Sequence, residues 1–78
     1  MSADAKVEPL ALAARDAAKL LGIGRTTFYR LHSSGRVPLP VRLGGSVRWY
    51  KPELQEWLAE GAPSRAKWEE LKKSRKRS

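Results

Sequence analysis

A short glycine-rich turn, residues 22–24, separates two segments whose apolar residues recur at helical spacing. The first segment predicts a helix over residues 14–21 and the second a helix over residues 25–34, where Phe28 and Leu31 share one face. Two short helices joined by such a turn form a helix-turn-helix unit. The second helix of such a unit can enter the major groove of DNA.

The second helix presents a polar and basic surface outside the core. Because Phe28 and Leu31 face inward, the side chains predicted to point outward, wholly or in part, are Arg25, Thr26, Thr27, Tyr29 and Arg30. Arginine binds O6 and N7 of guanine with two hydrogen bonds, and threonine contacts a thymine methyl group or a phosphate. Tyr29 suits both the core and a phosphate contact. His32 is assigned to packing.

Residues 41–43 and 47–49 alternate apolar and basic side chains, which predicts a β-hairpin. A three-residue loop at 44–46 is expected, because it makes one face of the hairpin wholly apolar. This register pairs Leu43 with Val47, Arg42 with Arg48, and Val41 with Trp49. Two arginines directly opposite each other repel in an isolated sheet, so we expect a phosphate between Arg42 and Arg48.

Two further helical patterns follow the hairpin. The third helix starts at the Lys-Pro-Glu sequence of residues 51–53 and ends at Gly61, with apolar residues spaced i, i+3 and i+4: Leu54, Trp57 and Leu58. Ser64 is placed to cap a last short helix that carries Leu71. Two tryptophans are assigned to the core, Trp49 and Trp57. Trp68 suits either a satellite contact on the core or a protein interface.

The basic residues of the chain form two clusters. Sixteen Lys and Arg oppose eight Asp and Glu, which gives a net charge of +8, and no acidic residue stands between Asp16 and Glu53. A second cluster begins at Arg65 and ends in a like-charge block, residues 72–78, that is expected to be mobile. Both clusters suit a polyanion, although a basic charge that serves solubility alone is the alternative.

The residue types that metal and catalytic sites need are scarce. The chain has no cysteine, hence neither disulfides nor a thiolate zinc site, which fits a reducing cytosol. His32 is the single histidine and has no second participant for metal binding or acid–base catalysis. We therefore predict no enzymatic activity, no cofactor and no small-molecule substrate. No apolar run is long enough to span a membrane, and we expect a cytoplasmic protein.

The order of these motifs resembles a known protein family. The motifs are AAKLLGIGRTTFYRL at 17–31, GRVP at 35–38, VRLGG at 41–45, VRW at 47–49 and ELQEWL at 53–58. Together they resemble the excisionase and AlpA-like family of small winged helix-turn-helix proteins, which is related in fold to the DNA-binding domain of MerR regulators. The resemblance implies a mainly α fold with a small β-hairpin, in a winged helix-turn-helix arrangement.

The resemblance also implies which residues contact DNA. The helix that begins near Arg25 lies in the major groove, and the hairpin is a wing that touches the adjacent backbone or minor groove. The residues that match groove-facing positions are Thr26, Thr27, Tyr29 and Arg30, and those that match the wing are Arg42, Gly44, Ser46 and Arg48. Gly44 and Gly45 have no Cβ, which lets backbone N–H groups at the tip approach a phosphate closely. Ala13 and Gly24 depart from the family, which usually has Ser or Thr there, so both helices are expected to lack a hydroxyl N-cap.

These observations divide the chain into three parts: a disordered lead at 1–9, a winged helix-turn-helix domain at 10–61, and a short helix with a basic tail at 62–78. They predict a sequence-specific protein for double-stranded DNA, either an excisionase that assists an integrase or a transcription regulator of a bacterial or phage mobile element. Cooperative or dimeric binding is expected, since one small module contacts few base pairs. The alternative is a protein-interaction module in which Trp68 and the basic tail bind an acidic partner.

Overall fold

The computed structural model describes residues 9–77, and side chains within that range through residue 74. In chain order its elements are β1 (Ala11–Leu12), α1 (Ala14–Leu21), α2 (Arg25–Ser33), β2 (Val41–Leu43), β3 (Ser46–Tyr50), α3 (Lys51–Ala59) and α4 (Arg65–Arg77). The three strands form an antiparallel sheet in the order β1-β3-β2. This confirms the mainly α winged helix-turn-helix fold. The predicted disordered lead lies outside the described residues except for Pro9.

The turn between α1 and α2 depends on a left-handed glycine. Gly22 has a φ of 74°, a backbone conformation that residues with a Cβ rarely adopt. Its amide donates to the carbonyl of Lys19 at 3.0 Å, and the next amide, that of Ile23, donates to Ala18 at 3.0 Å. These two bonds satisfy carbonyls at the end of α1, so the helix ends as the sequence predicted.

Both helices of this unit begin without a capping side chain, as the sequence predicted. Ala13 and Gly24 occupy the N-cap positions of α1 and α2 with extended backbone, and neither residue has a polar side chain that could accept a capping hydrogen bond. Asp16, in the first turn of α1, is a favourable charge at that helix end, whereas the first turn of α2 contains no acidic residue.

Replacing Ala13 with serine is expected to stabilise the fold. Ala13 has φ −71° and ψ 165°, a geometry in which a serine hydroxyl accepts a hydrogen bond from an amide two or three residues later. The expected gain is about 1 kcal/mol in the free energy of unfolding, or roughly 4–8 °C in Tm for a domain of this size. Thermal unfolding followed by circular dichroism measures the gain. Ala13→Val is the control, because valine adds volume without a capping hydroxyl, and an equal gain in that variant contradicts the explanation.

The core combines small residues of α1 with large aromatic side chains from the other elements. Its buried hydrophobic residues are Leu12, Ala14, Ala17, Ala18, Phe28, Val37, Trp49, Leu54, Trp57 and Trp68. The alanines bring α2 close to α1, and the aromatic rings supply the apolar area that a short chain needs. The predicted core positions of Trp49 and Trp57 are confirmed.

One apolar residue of α3 lies outside this core. Leu58 is 48% exposed, although it follows Leu54 and Trp57 at helical spacing. The chain after α3 folds back beside Trp57, whose indole N–H donates to the carbonyl of Pro63 at 2.8 Å. The buried face of α3 therefore contains Leu54 and Trp57, which are three residues apart, and leaves Leu58 in solvent.

The predicted hairpin register is wrong, because the loop contains two residues and not the three that were expected. The loop is Gly44–Gly45, and the cross-strand pairs are Leu43 with Ser46, Arg42 with Val47, and Val41 with Arg48. The prediction assumed that one face of both strands packs on the core, but all three residues of β2 are exposed. Their side chains therefore do little to select the register, and the turn selects it instead. Gly44 has a φ of 65°, as the first position of a tight two-residue II′ turn requires.

Helix α4 packs on the core through Trp68, and Leu71 packs beside it. Trp68 is fully buried, and its indole N–H donates to Glu53 Oε2 at 2.9 Å. Ser64 caps the helix as predicted, since its Oγ accepts a hydrogen bond from the amide of Lys67 at 3.3 Å. The satellite contact on the core is thus the role of Trp68 that the structure supports. The prediction of a short helix followed by a basic tail is wrong in its boundary, because the helix runs from Arg65 to Arg77 and includes most of the basic block.

An ion pair joins α4 to the first turn of α3. Lys72 Nζ lies 2.6 Å from Glu53 Oε2 and 3.3 Å from Glu69 Oε2. Partial burial lowers the pKa of Lys72, but the hydrogen bonds and charges of these two carboxylates outweigh burial and raise the pKa above its ordinary value. Lys72 therefore stays charged and holds the docked helix beside Glu53.

Strand β1 is an element that the sequence did not predict. It has two residues, of which Leu12 pairs with Trp49 of β3, and the amide of Lys51 donates to the carbonyl of Leu10 at 2.7 Å. Two residues are too few to show the alternation typical of a strand. Within residues 9–77, none of the helices combines the length and apolarity that crossing a membrane requires.

Candidate nucleic-acid interface

The outward face of α2 contains the predicted groove-facing residues. The exposed side chains of this helix include Arg25, Thr26, Thr27, Tyr29 and Arg30. Residues of an α-helix are about 100° apart around the axis, so the positions two before and two after Phe28 lie roughly opposite its buried ring. Those positions are Thr26 and Arg30, which are also one turn apart. Thr26 and Arg30 are therefore at the centre of the outward face, and Thr27 and Tyr29 are on its flanks.

A single tryptophan of the hairpin fixes the wing against α2. The wing is the β2–β3 hairpin, residues 41–50. The ring of Trp49 packs edge-on against Phe28 at a centroid distance of 4.9 Å and against His32 at 5.3 Å. Its indole N–H donates to the carbonyl of Pro38 at 3.1 Å, in the segment that connects α2 to the wing. Trp49 thus sets the position of the wing relative to the outward face of α2.

A groove of about 560 Å³ separates α2 from the wing. Tyr29 and His32 line it from the helix, and Gly45, Ser46 and Arg48 line it from the hairpin. Tyr29 is 49% exposed, while its ring meets Phe28 edge-on at a centroid distance of 6.3 Å. One side of this residue therefore packs on the core and the other side faces the groove.

The two wing arginines lie on opposite faces of the hairpin. Directly paired residues of antiparallel strands share a face, so Arg42 lies on the face of Val47 and Arg48 on the face of Val41. The prediction that a phosphate lies between two opposed arginines is therefore wrong, because the tight turn shifts the pairing. Arg42 is exposed, whereas Arg48 is half-buried and its Nη1 donates to the carbonyl of Val47 at 2.9 Å. Gly44 and Gly45 are exposed at the tip, and Ser46 is half-buried.

Acidic residues are absent from the described segments that form the candidate interface, α2, its connector and the wing. Within the described residues, α2, its connector and the wing contain no Asp or Glu. The described acidic side chains lie in α1, α3 and the segments beyond it: Asp16, Glu53, Glu56, Glu60, Glu69 and Glu70. The outward face of α2 and the wing are thus purely basic or neutral, which favours an anionic partner there.

The last turn of α2 is connected to α4 through Arg65 and His32. Arg65 Nη2 lies 3.1 Å from His32 Nδ1 and donates to the His32 carbonyl at 3.2 Å. A guanidinium only donates, so Nδ1 is the unprotonated nitrogen of the ring. Partial burial, followed by the nearby charge of Arg65, lowers the pKa of His32 below its ordinary value of 6.5. His32 is therefore neutral in the folded protein near pH 7.

This arrangement predicts that acid weakens the fold through His32. As the pH falls below about 6.5, the unfolded chain binds a proton that the folded chain binds only at lower pH. The free energy of unfolding is therefore expected to decrease between pH 7.5 and pH 5.5. Urea unfolding at several pH values measures this slope. In His32→Asn, which retains an acceptor for Arg65 but does not titrate, we expect a flatter slope, and an unchanged slope contradicts the assignment.

Arg65 is the residue of this region that sequence reasoning missed. In the sequence it belongs to the second basic cluster, and nothing in its local sequence indicates a contact with residues about thirty positions earlier. A weak signal exists, since Arg65 follows the capping Ser64 directly and is thus in the first turn of α4. A cation there is unfavourable to its own helix, which indicates a role in contacts elsewhere.

The part of the chain that contains the candidate interface matches a known protein family. The family described as a helix-turn-helix domain matches residues 12–62, which are 51 of the 78 residues. This range includes α1, α2, the wing and α3. Searches of curated proteins and of solved structures gave no match. The helix-turn-helix supports binding to DNA, and the chain belongs to this helix-turn-helix domain family, which includes small AlpA-like proteins of the excisionase type.

Proposed function

We propose that the protein binds double-stranded DNA sequence-specifically and has no enzymatic activity. In this proposal α2 enters the major groove and the wing contacts the adjacent backbone or minor groove. Arg25, Thr26, Thr27 and Arg30 provide the contacts to base edges and nearby phosphates. Tyr29 and the wing residues Arg42, Gly44, Gly45, Ser46 and Arg48 provide the flanking contacts.

The observation that carries the proposal is the composition of the outward face of α2. Arg30 and Thr26 lie opposite the buried Phe28, and no acidic residue accompanies them on this helix. Arginine and threonine are residue types that contact base edges in the major groove. The beginning of α2 supports the same partner, because Arg25 places a positive charge at the positive end of the helix dipole. This charge costs stability in the free protein and is offset by a bound phosphate.

The proposed biological role is that of an excisionase or of a transcription regulator of a mobile element. As an excisionase, several copies bind repeated sites and bend the DNA so that an integrase can excise the element. As a regulator, the bound protein controls a promoter. Both roles need more discrimination than one small module provides, so we propose cooperative or dimeric binding in either role.

The alternative proposal of a protein-interaction module has less support. It requires Trp68 and the basic tail to bind an acidic partner, but the indole of Trp68 is fully buried in the core. Its N–H donates to Glu53. No observation on the described residues favours this alternative over DNA binding.

A selection from random duplex DNA tests the proposed function. The purified protein is mixed with the random pool near physiological salt, where non-specific binding through counterion release is weakened. We expect a recovered motif, and motifs in tandem would support cooperative assembly. Gel mobility of DNA with the motif at its centre or at its end then measures bending, which the excisionase role requires. Recovery of no motif, with salt-sensitive binding to all sequences, contradicts sequence-specific binding.

A further inference from the structure

The guanidinium of Arg65 lies among backbone acceptors at the end of α2 and in the segment that follows it. Nε donates to the carbonyl of Val37 at 2.9 Å, and Nη2 donates to the carbonyl of His32 at 3.2 Å. The backbone amide of Arg65 donates to the carbonyl of Gly35 at 3.0 Å. Arg65 thus donates hydrogen bonds to three backbone carbonyls, those of His32, Gly35 and Val37, along the segment that leads from α2 to the wing.

These acceptors lie at the end of α2 and in the connector that leads to the wing, the two elements proposed to contact DNA. The carbonyl of His32 belongs to the last turn of α2, and a cation beside it is favourable for the helix dipole. Val37 is fully buried and is followed by Pro38, whose carbonyl accepts the indole N–H of Trp49. Arg65 and Trp49 therefore fix neighbouring residues of the connector between α2 and the wing, Arg65 from α4 and Trp49 from the sheet.

We propose that Arg65 is a positioning residue that holds α2 and the wing in the relative geometry needed to contact DNA at the same time. The inference rests on the proposed function, because it assigns to α4 a role in the same DNA-binding surface. Arginine suits this role since its planar group donates in several fixed directions, whereas a lysine ammonium is a point charge on a flexible stem.

Two observations separate this role from a direct phosphate contact and from general stability. Arg65 is half-buried, and its Nε and Nη2 donate to protein acceptors. The docking of α4 has other sources, namely the buried ring of Trp68 and the bond between Lys72 and Glu53. Loss of the guanidinium is therefore expected to leave α4 docked and the amide bond to Gly35 in place, while it removes the bonds to the carbonyls of His32 and Val37 and loosens the connector.

The test compares Arg65→Met with Lys67→Met in the full chain. Methionine retains an apolar stem and removes the donors, and the side chain of Lys67 is an exposed cation in the same turn of α4. Affinity is measured for the selected DNA site and for an unrelated duplex at several salt concentrations. We expect Arg65→Met to weaken binding to the selected site at least tenfold and to the unrelated duplex less than twofold. Lys67→Met should change both affinities by less than twofold.

Amide hydrogen exchange provides a measurement that does not depend on DNA. In Arg65→Met we expect at least tenfold faster exchange at Gly35 and Arg36, whose amides bond to His32 and Leu31 in the wild type, and faster exchange in the wing. Amides of α1 and α3 should be unchanged. Equal acceleration throughout the chain, or no acceleration, overturns the positioning role.

The binding data distinguish the remaining outcomes. Equal weakening on both duplexes, with a salt slope reduced by about one, identifies Arg65 as a phosphate ligand and overturns the proposal. If the wild type selects no motif, the proposed function fails and the role of Arg65 in DNA binding fails with it. In that case hydrogen exchange still decides whether Arg65 holds the connector.

Discussion

Replacing Arg30 with alanine is expected to lower the affinity for the selected DNA site by about 1 to 3 kcal/mol, or roughly 5- to 150-fold. Arg30 lies opposite Phe28 on α2, at the centre of the exposed face, and its side chain is long enough to reach base edges. If it binds guanine with two hydrogen bonds, its loss removes both a charge and a sequence-specific contact. Competition binding with the selected site and with single-base variants measures the loss and shows which base pair becomes less selective.

The matched control for Arg30 is Lys19→Ala. Lys19 is an exposed cation in the last turn of α1, next to Asp16 and Leu20 and away from the groove between α2 and the wing. Both substitutions remove one positive charge from an exposed helix position, so net charge alone predicts equal effects. We expect Lys19→Ala to change affinity by less than about twofold. Equal losses in the two variants, with no change of base preference, contradict the assignment of Arg30 to a base contact.

The helices could be predicted from the sequence because local chemistry determines their ends. Gly22 terminates α1 in a left-handed conformation, and Ser64 caps α4, and both signals are visible without knowledge of the tertiary fold. The hairpin was located correctly, but its register was not. The predicted register relied on the alternation of apolar residues in β2. The structure shows that all three residues of β2 are exposed, so this alternation does not set the register. Strand β1 was missed because its pairing with β3 is entirely a tertiary interaction.

The candidate interface was predictable in part, for a similar reason. The outward residues of α2 follow from the burial of Phe28, since helical periodicity relates every other position to it. The relation between Arg42 and Arg48 depends on a register that one loop residue changes. The contact of Arg65 with His32 and Val37 joins segments that are distant in sequence, so the periodicity of the sequence does not predict it. The residues that touch DNA were thus easier to propose than those that hold the surface in place.

Replacing Trp68 with alanine is expected to destabilise the protein by about 3 to 5 kcal/mol, the range for large aromatic residues in a core. Trp68 is fully buried, and its loss also removes the hydrogen bond to Glu53. Small domains have a free energy of unfolding of roughly 5 to 15 kcal/mol, so this loss is a large share of the total. Equilibrium unfolding in urea, followed by circular dichroism, measures the change. We expect a transition at much lower urea concentration or a partly unfolded protein in water.

Leu58→Ala is the comparison that assigns this loss to burial. Leu58 is 48% exposed on α3, so its truncation leaves no cavity and is expected to change the free energy of unfolding by less than about 0.5 kcal/mol. Trp68→Phe should lie between the two, because it retains a ring in the core and removes the donor to Glu53. If Trp68→Ala leaves the stability unchanged but abolishes binding to an acidic protein partner, that result contradicts the core role of Trp68. That outcome supports a protein-binding surface on α4.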